Sequence, residues 1–279
     1  MDRIAYVDGR FCPFEEARIP LDDRSLFFGD AVYDALIGKD GRVFDMPAHM
    51  TRLKSNMCAL GIAAPLPPAD MERSLLEAAS FFHDSVCFLY IQVSRTAAHR
   101  RHGYPTDAAS RLLITAERMG EPSPDRLLRL ITTEDRRYGF CHIKTVNLLP
   151  NVLASHEADE AGADEAVFLR DGRVTECAHS NLSILVGRTL YTHPTDGRIL
   201  PGITRHRLLD LCRHLGVAVR EEAFGIEALM QADDVLVSST SKLCMRAKTV
   251  DGTAVGGHTS LGRELCERMY EDFLSELGG

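Results

Sequence analysis

One lysine in this sequence lies where a solvated charge would not be expected. Only five of the 32 basic residues are lysines. Lys39 falls in a predicted hairpin turn and Lys54 on a predicted helix, whereas Lys144 lies in a strand-like apolar stretch. Such a side chain either extends its amine to solvent or is held inside, where burial lowers the pKa and favours Schiff-base formation with an aldehyde. Lys144 is therefore a candidate nucleophile, and Lys242 and Lys248 are weaker alternatives.

A second candidate feature is a turn that could bind an anion. Pro201 and Gly202 lead directly into a predicted amphipathic helix over 203–215. The unpaired N–H groups at such a helix start, together with the hydroxyl of Thr204, suit a phosphate, and the hydroxyl-rich stretch 238–241 could add further donors. Taken alone, the pattern is more typical of an ordinary helix start.

Glu176 completes a possible constellation. It follows a predicted strand, where its carboxylate could pair with a protonated ring nitrogen, although by itself it would be interpreted as a surface glutamate. An amine for a Schiff base, a carboxylate for a pyridinium and an anion site for a phosphate are the three groups that bind pyridoxal 5'-phosphate. The sequence thus points to this cofactor.

The composition limits the class of protein. The chain has 279 residues, a net charge of −8 and eight scattered cysteines without a C-x-x-C pair. The negative charge argues against nucleic acid or a membrane surface as the main partner, and no apolar stretch reaches the roughly 18 residues of a membrane span. The first residues form no apolar signal core, and the cysteine pattern is typical of free thiols rather than a metal site. We therefore expect a cytoplasmic enzyme of two domains that holds no metal.

The elements that must position these residues follow from periodicity and turn signals. The first half is predicted to be mixed α+β, with Asp-Gly hairpins over 6–11 and 36–44, helices from Pro47 and Pro68, and strands over 86–93 and 112–115. A linker at 120–125, with two prolines, separates a domain of residues 1–119 from a larger domain of residues 126–279. The predicted elements of the second domain are strands at 127–132, 182–186, 189–192 and 235–238, a hairpin at 166–175, and helices at 151–161, 203–215 and 261–277.

Several short motifs occur in order along the chain. They are Asp23-Arg-Ser-Leu-Phe-Phe-Gly-Asp-Ala-Val-Tyr33, His49-Met-Thr-Arg-Leu53, Ile143-Lys-Thr-Val-Asn-Leu-Leu-Pro-Asn-Val-Leu-Ala154, Asp164-Glu-Ala-Val-Phe-Leu169, Val174-Thr-Glu176, Ser180-Asn181 and Leu200-Pro-Gly-Ile-Thr-Arg205. Together they resemble the fold-type IV pyridoxal-phosphate aminotransferases, and Tyr191-Thr-His-Pro194 is especially similar to the D-amino-acid aminotransferases. The resemblance implies a two-domain α+β and α/β fold, with a small N-terminal α/β domain and a larger C-terminal pseudo-barrel domain.

The resemblance also implies roles for individual residues. Lys144 would form the Schiff base and carry the proton between substrate and cofactor. Glu176 would keep the pyridine nitrogen protonated, and Leu200 would pack against the ring. The phosphate would be bound by Arg52, the N–H groups of Ile203 and Thr204, and the hydroxyl of Thr240.

Substrate binding is implied by a basic loop. Arg100 and His102 match an Arg-x-His pair that, in D-amino-acid aminotransferases, reaches across a dimer interface and holds the substrate α-carboxylate together with a tyrosine, here Tyr33. The alternative is a basic surface loop, and Arg101 has no assigned role. We therefore expect a homodimer that transfers the amino group of a D-amino acid to a 2-oxo acid by a ping-pong mechanism.

Other functions remain open at this point. The fold is shared by aminodeoxychorismate lyase and by branched-chain L-amino-acid transaminases, and a non-catalytic binding protein could retain it. The sequence also departs from the family pattern. Cys177 replaces a glycine, Ala178 and His179 replace small polar residues, and the segment 240–246 lacks a proline.

Overall fold

The computed structural model describes residues 2–83, 85–105, 109–257 and 259–278. Its contacts divide the chain into two units. The N-terminal unit comprises Met1–Glu121, Ile143–Asn147 and Glu276–Gly279, and the C-terminal unit comprises Pro122–His142 and Leu148–Ser275. The short stretch Ile143–Asn147, called the lysine segment below, therefore belongs to the N-terminal unit although the chain on both sides of it belongs to the other.

The N-terminal unit is built on a six-stranded antiparallel sheet. Its strands are β1 (Arg3–Val7), β2 (Arg10–Pro13), β3 (Ala31–Lys39), β4 (Arg42–Val43), β5 (Cys87–Ser94) and β6 (Arg111–Arg118), in the order β2-β1-β6-β5-β3-β4. Its helices are α1 (Arg24–Phe28), α2 (Met46–Ala59) and α3 (Pro68–Ser80), and a 3-10 turn spans Phe14–Glu16. Leu53 of α2 and Leu75 of α3 are fully buried with Leu36 and Leu89 of the strands. The two longer helices therefore cover one face of the sheet, which leaves the other face to half-buried side chains.

The C-terminal unit contains a nine-stranded mixed sheet. Its strands are β7 (Leu127–Glu134), β8 (Glu165–Arg170), β9 (Arg173–Cys177), β10 (Asn181–Val186), β11 (Thr189–Thr192), β12 (Ala218–Glu221), β13 (Asp234–Ser239), β14 (Leu243–Val250) and β15 (Thr253–Ala254). They run in the order β12-β11-β10-β13-β14-β7-β8-β9, with β15 beside β14. The helices are α4 (Leu149–Glu160), α5 (Ile203–His214), α6 (Ile226–Met230) and α7 (Ser260–Leu277). Leu208 and Leu209 of α5 pack with Leu236 of β13, which fixes this helix on the sheet.

Asp-Gly turns close four of the hairpins. In each turn both residues have positive φ, and two residues link the paired strand ends, as at Asp8 (φ 45°) and Gly9 (φ 93°) between Val7 and Arg10. The other three turns are Asp40–Gly41, Asp171–Gly172 and Asp251–Gly252. This conformation matches the right-handed twist of paired strands and is favoured by Asp-Gly. The three hairpins predicted from sequence are confirmed, and the fourth, between β14 and β15, was not predicted.

The predicted helices and strands are found with shifts of a few residues at their ends, but one prediction about Lys144 is wrong. The lysine segment is not a strand: it forms an isolated bridge between Thr145 and Val32, and the carbonyl of Lys144 accepts a hydrogen bond from the N–H of Tyr33 (2.9 Å). The segment curls instead of extending, because the N–H of Thr145 donates to the carbonyl of Ile143 (2.9 Å), so only one residue pairs with β3. No helix in the described part of the chain is long and apolar enough to span a membrane.

Candidate active site

Tyr33 and Lys144 lie together in the N-terminal unit. Successive side chains of a strand point to opposite faces, so Tyr33 of β3 points away from the face that α2 covers. The Lys144 amine lies 4.5 Å from the centroid of the Tyr33 ring. That ring stacks on Tyr90 at 5.2 Å, and the Tyr90 hydroxyl donates to Gln92 (2.6 Å). Burial, with a smaller contribution from Tyr33, raises the pKa of Tyr90, so its hydroxyl stays protonated. The half-buried amine thus lies beside a pair of stacked aromatic rings.

Arg52 lies on the opposite face of β3, in a buried polar triad. Its Nε and Nη2 donate to the two oxygens of Asp34 (2.9 and 2.7 Å), and Nδ1 of His49 lies 2.8 Å from Asp34 Oδ1. His49 and Arg52 share one side of α2 because they are three residues apart. Burial opposes the charge on Asp34, but Arg52 and His49 outweigh it and lower the pKa of that carboxyl well below its usual range. The guanidinium is therefore fixed in a forked pair.

Glu176 is a buried carboxylate in the C-terminal unit. It is the penultimate residue of strand β9 and is only 5 % exposed. Its oxygens accept hydrogen bonds from Arg137 Nη1, from Asn181 Nδ2 (2.7 Å) and from the N–H of Leu200 (3.1 Å). Because these donors come from three separate parts of the chain, the carboxylate has one fixed position.

A second acid, Asp135, binds the arginine that contacts Glu176. Arg137 donates through Nε and Nη2 to Asp135 (2.9 Å each), and its guanidinium lies 4.4 Å from the centroid of the Phe168 ring. Arg170 also donates to Asp135 (2.9 Å). Burial disfavours the charge on Arg137, but Asp135 and Glu176 more than compensate and raise its pKa. Two acids and two arginines thus form a balanced cluster in which Glu176 is the member next to Leu200.

Asn181 links this carboxylate to the start of helix α5. Its Nδ2 donates to the carbonyl of Leu200 (2.9 Å) as well as to Glu176. A Cβ at Gly202 would lie 2.0 Å from Asn181 Oδ1, so only glycine allows this close approach. Gly202 also provides no side chain to cap the helix. The first N–H groups of α5, those of Ile203 and Thr204, therefore have no acceptor within the helix and no side-chain cap from Gly202.

The predicted site residues thus fall into groups. Asn181 joins Glu176 to Leu200 in the C-terminal unit, and Ile203 and Thr204 are the first residues of α5, which follows Leu200 closely in the chain. Thr240 follows β13, two residues beyond Ser238, which pairs with Asn181. In the N-terminal unit, Lys144 contacts Tyr33 on one face of β3, while Arg52 lies on the other.

The predicted substrate-binding residues lie in two places within the N-terminal unit. Arg100 and His102 both lie against Phe28 of α1, at 5.2 Å from its ring centroid. In the described residues, no hydrogen bond, ion pair or ring contact joins either side chain to Tyr33. The basic loop therefore packs on α1 within this unit, separate from the pair formed by Tyr33 and Lys144.

The weaker lysine candidates have different surroundings. Lys242 Nζ lies 3.0 Å from a carboxylate oxygen of Glu165, which is buried, and 3.2 Å from His179 Nδ1. The Lys242 amine is therefore already bound to a buried carboxylate. Lys248 is exposed. Lys144 remains the best candidate for a reactive amine.

Comparison with known proteins identifies the family. The family model described as amino-transferase class IV matches residues 31–250. The chain belongs to the class IV aminotransferases. It is 32% identical over 251 residues to D-alanine aminotransferase from Bacillus licheniformis, covering 89% of each chain. It is also 32% identical over 256 residues to D-alanine aminotransferase from Staphylococcus epidermidis, covering 90% of each chain.

Solved structures confirm the fold expected for this aminotransferase. A branched-chain aminotransferase from Thermoproteus uzoniensis superposes with a TM-score of 0.89 at 22% identity, covering 100% of this chain and 96% of the other. A branched-chain aminotransferase from Escherichia coli gives a TM-score of 0.84 at 22% identity, with coverage of 99% and 94%. The fold is therefore that of fold-type IV aminotransferases, and the prediction of an enzyme of this class is confirmed.

Sequence reasoning assigned no role to several residues that shape the candidate site of this aminotransferase. Asn181 and His49 occur in the family-like motifs but carried no role, and Asp34, Asp135 and Arg137 were not singled out. The three-residue spacing of His49 and Arg52 on an amphipathic helix was an available signal for a shared polar face. The contact of Arg137 with Glu176 spans 39 residues and has no local signal.

We expect replacement of Asp34 by asparagine to destabilise the aminotransferase by about 3 kcal/mol at neutral pH, because the forked pair with Arg52 is lost inside the protein. The folded-state pKa of Asp34 is lowered, so its stabilisation is complete above the unfolded value of about 3.9 and is lost as the pH falls below it. Urea unfolding at pH 7, 5 and 3.5 should therefore give a larger free energy of unfolding for the wild type than for Asp34→Asn. This difference should shrink only at the lowest pH.

Asp70→Asn is the matched control for this measurement, because Asp70 forms an exposed ion pair with Arg73 on α3. Its loss is expected to cost less than about 1 kcal/mol. Equal stability of the Asp34 and Asp70 variants at pH 7 would contradict the assigned importance of the triad.

Proposed function

We propose that this aminotransferase transfers the amino group of a D-amino acid, such as D-alanine, to a 2-oxo acid in a ping-pong cycle with pyridoxal 5'-phosphate. The observation that carries the cofactor assignment is the linkage of buried Glu176, through Asn181, to the start of α5. The substrate assignment is supported by 32% identity to proteins named D-alanine aminotransferase. It is also supported by the ordered positions of Arg100 and His102.

The donor groups of the C-terminal unit suit the cofactor. Glu176 offers a buried anion to a protonated ring nitrogen, and the first N–H groups of α5 offer donors to a phosphate. Thr204 is itself 4 % exposed, so a phosphate there would be largely withdrawn from water. Arg52 would add a guanidinium to the phosphate, Thr240 would add its hydroxyl, and Leu200 would pack against the ring. We assign these residues to cofactor binding.

The chemistry requires an electron sink, a base and a way to exclude the wrong substrate. Bound pyridoxal phosphate supplies the sink that stabilises the carbanion left when the α-proton is removed. Lys144 Nζ would hold the cofactor covalently, and the Lys144 amine, once released, would accept the α-proton of the substrate and later give it up. Glu176, fixed by Arg137, would keep the ring nitrogen positively charged. The Tyr33 ring would limit the positions open to the lysine amine.

The substrate carboxylate would be held by a charged pair. Arg100 can form two parallel hydrogen bonds to a carboxylate, with His102 as an additional donor and Tyr33 as a third contact. We call these three residues the carboxylate clamp. Since Arg100 and His102 lie apart from Tyr33 within one chain, a clamp of all three would combine residues of two subunits.

A homodimer would satisfy that requirement. Leu26 and Tyr104, which lie near the basic loop, are 53% and 60% exposed. Exposed apolar side chains of this size favour association.

Each of the eight cysteines is a free thiol within the described chain, which supports our proposal that the enzyme works in the cytoplasm.

A half-reaction without an acceptor tests the proposed function. The enzyme loaded with pyridoxal phosphate is mixed with D-alanine or with L-leucine, and the cofactor absorption is followed. Loss of the band with D-alanine alone, with one pyruvate per site, is expected. Loss with L-leucine alone would assign the enzyme to branched-chain substrates. An unchanged band with both would favour a lyase, and a protein that stays colourless with added pyridoxal phosphate would favour a non-catalytic binding protein.

Replacing Arg100 with alanine is expected to raise the KM for D-alanine about 30-fold, because about 2 kcal/mol of charged hydrogen bonding is lost. The affinity for pyridoxal phosphate should stay unchanged. Steady-state kinetics and cofactor titration measure the two quantities. Arg101→Ala is the matched control, since among the described residues the Arg101 guanidinium donates to the nearby carbonyl of Tyr104 (3.3 Å). Equal KM values for both variants would remove the clamp argument.

A further inference from the structure

A buried arginine holds the backbone of the basic loop. Arg24 of α1 is 3 % exposed, and it donates to the carbonyls of Arg101 (2.7 Å) and His102 (3.3 Å). Its charge is balanced by Asp30, which accepts from Arg24 Nε (2.7 Å) and from Arg95 Nε (3.0 Å). The loop backbone is therefore fixed, although its own side chains are exposed.

One aromatic ring lies next to two side chains of that loop, those of Arg100 and His102. The centroid of the Phe28 ring is 5.2 Å from Arg100 Cζ and 5.2 Å from the centroid of the His102 ring. Arg24 Cζ also lies 4.7 Å from the same centroid. The Phe27 ring is a weaker neighbour, because it lies 5.8 Å from Arg100 Cζ and has no ring contact with His102 in the described chain.

These contacts restrict side chains that would otherwise be free. An exposed arginine has many rotamers, and a guanidinium that must first be ordered binds a carboxylate less tightly than one already in place. Contact with an aromatic ring limits the orientations of both the guanidinium and the imidazole, whose plane is tilted by 54° to that of Phe28. Among the aromatic rings of the described residues, only that of Phe28 contacts both Arg100 and His102.

We propose that Phe28 is a positioning residue for substrate binding, whose ring orients Arg100 and His102 so that the two can hold the α-carboxylate of an amino acid. This inference rests on the proposed function, because it assumes that the clamp binds that carboxylate. It adds a residue on α1, with no charge and no polar atom in its side chain, to the determinants of substrate affinity.

The experiment compares wild-type enzyme with Phe28→Leu, Phe27→Leu and Phe28→Tyr, each loaded with pyridoxal phosphate. Phe28→Leu is expected to raise the KM for D-alanine about tenfold, equivalent to about 1.4 kcal/mol. Its kcat, its cofactor affinity and its thermal midpoint should change little. Phe27→Leu removes the neighbouring exposed ring and should leave the KM within about twofold. Phe28→Tyr keeps the aromatic face and should restore the wild-type KM.

The possible results separate this inference from the function on which it rests. A wild-type enzyme that does not react with D-alanine would overturn the proposed function. An active wild type with equal KM values for Phe28→Leu and Phe27→Leu would overturn only the role of Phe28. A fall in cofactor affinity and thermal midpoint together with the rise in KM, or failure of Phe28→Tyr to restore it, would also overturn that role, because either result indicates general structural damage.

Discussion

Replacing Lys144 with alanine is expected to lower the turnover of the aminotransferase by about 10,000-fold or more, while the protein stays folded. In the proposed mechanism one amine binds the cofactor and moves the α-proton, so its removal eliminates two functions at once. Among the described residues, Lys242 is a poor replacement, because its amine is already paired with Glu165 at 3.0 Å. The side chain of Lys144 is half-buried beside Tyr33 and carries no ion pair in the described chain, so its loss should cost little stability.

The measurement is single-turnover conversion of D-alanine, accompanied by circular dichroism and thermal unfolding to verify the fold. Lys248→Ala is the matched control: it removes an exposed lysine from the larger unit and should retain full turnover. If Lys144→Ala still turns over at a tenth of the wild-type rate, another residue must act as the base and nucleophile.

The second large effect is expected at Glu176. Glu176→Gln should lower kcat by about 100- to 1,000-fold, because a neutral amide cannot balance the charge of a protonated ring nitrogen. The amide keeps the size of the carboxylate, but it also removes one of the two anionic partners of Arg137. We therefore expect a weaker electron sink and lower cofactor affinity in the same variant.

Rapid-mixing kinetics with saturating D-alanine measures the rate of the half-reaction, and fluorescence titration gives the cofactor affinity. Glu160→Gln, at an exposed glutamate on α4, is the control and should match the wild type. A loss of less than tenfold in Glu176→Gln would mean that the ring nitrogen does not depend on this carboxylate.

Much of the secondary structure could be predicted because its signals are local. Asp-Gly pairs between apolar runs predicted three hairpins, and the helix of residues 203–215 was found over Ile203–His214. Short elements escaped prediction where the pattern was too brief for a period to be counted. Helix α1, with five residues, and the hairpin that pairs Val250 with Thr253 are examples.

The candidate site was only partly accessible to sequence reasoning, for a physical reason. Residue types and family-like motifs identified Lys144, Glu176 and the start of α5. The groups that fix them are distant in sequence: Arg137 lies 39 residues from Glu176, and Asp34 lies 18 residues from Arg52. Such ion pairs form only when strands and helices pack, so neither periodicity nor spacing reports them. The same limit explains why the lysine segment was predicted to be a strand.

The assignment of the lysine segment to the N-terminal unit limits how this enzyme can be recombined with its relatives. A chimera joined between Glu121 and Pro122 would take Tyr33 from one parent and Lys144 from the other, although the two side chains touch. The pairing of Val32 with Thr145 would then also join backbones of different origin. Keeping each unit from a single parent requires four junctions, at 121/122, 142/143, 147/148 and 275/276. Gene shuffling with a single crossover at 121/122 should therefore yield few active hybrids, although that position lies at a boundary between the two units.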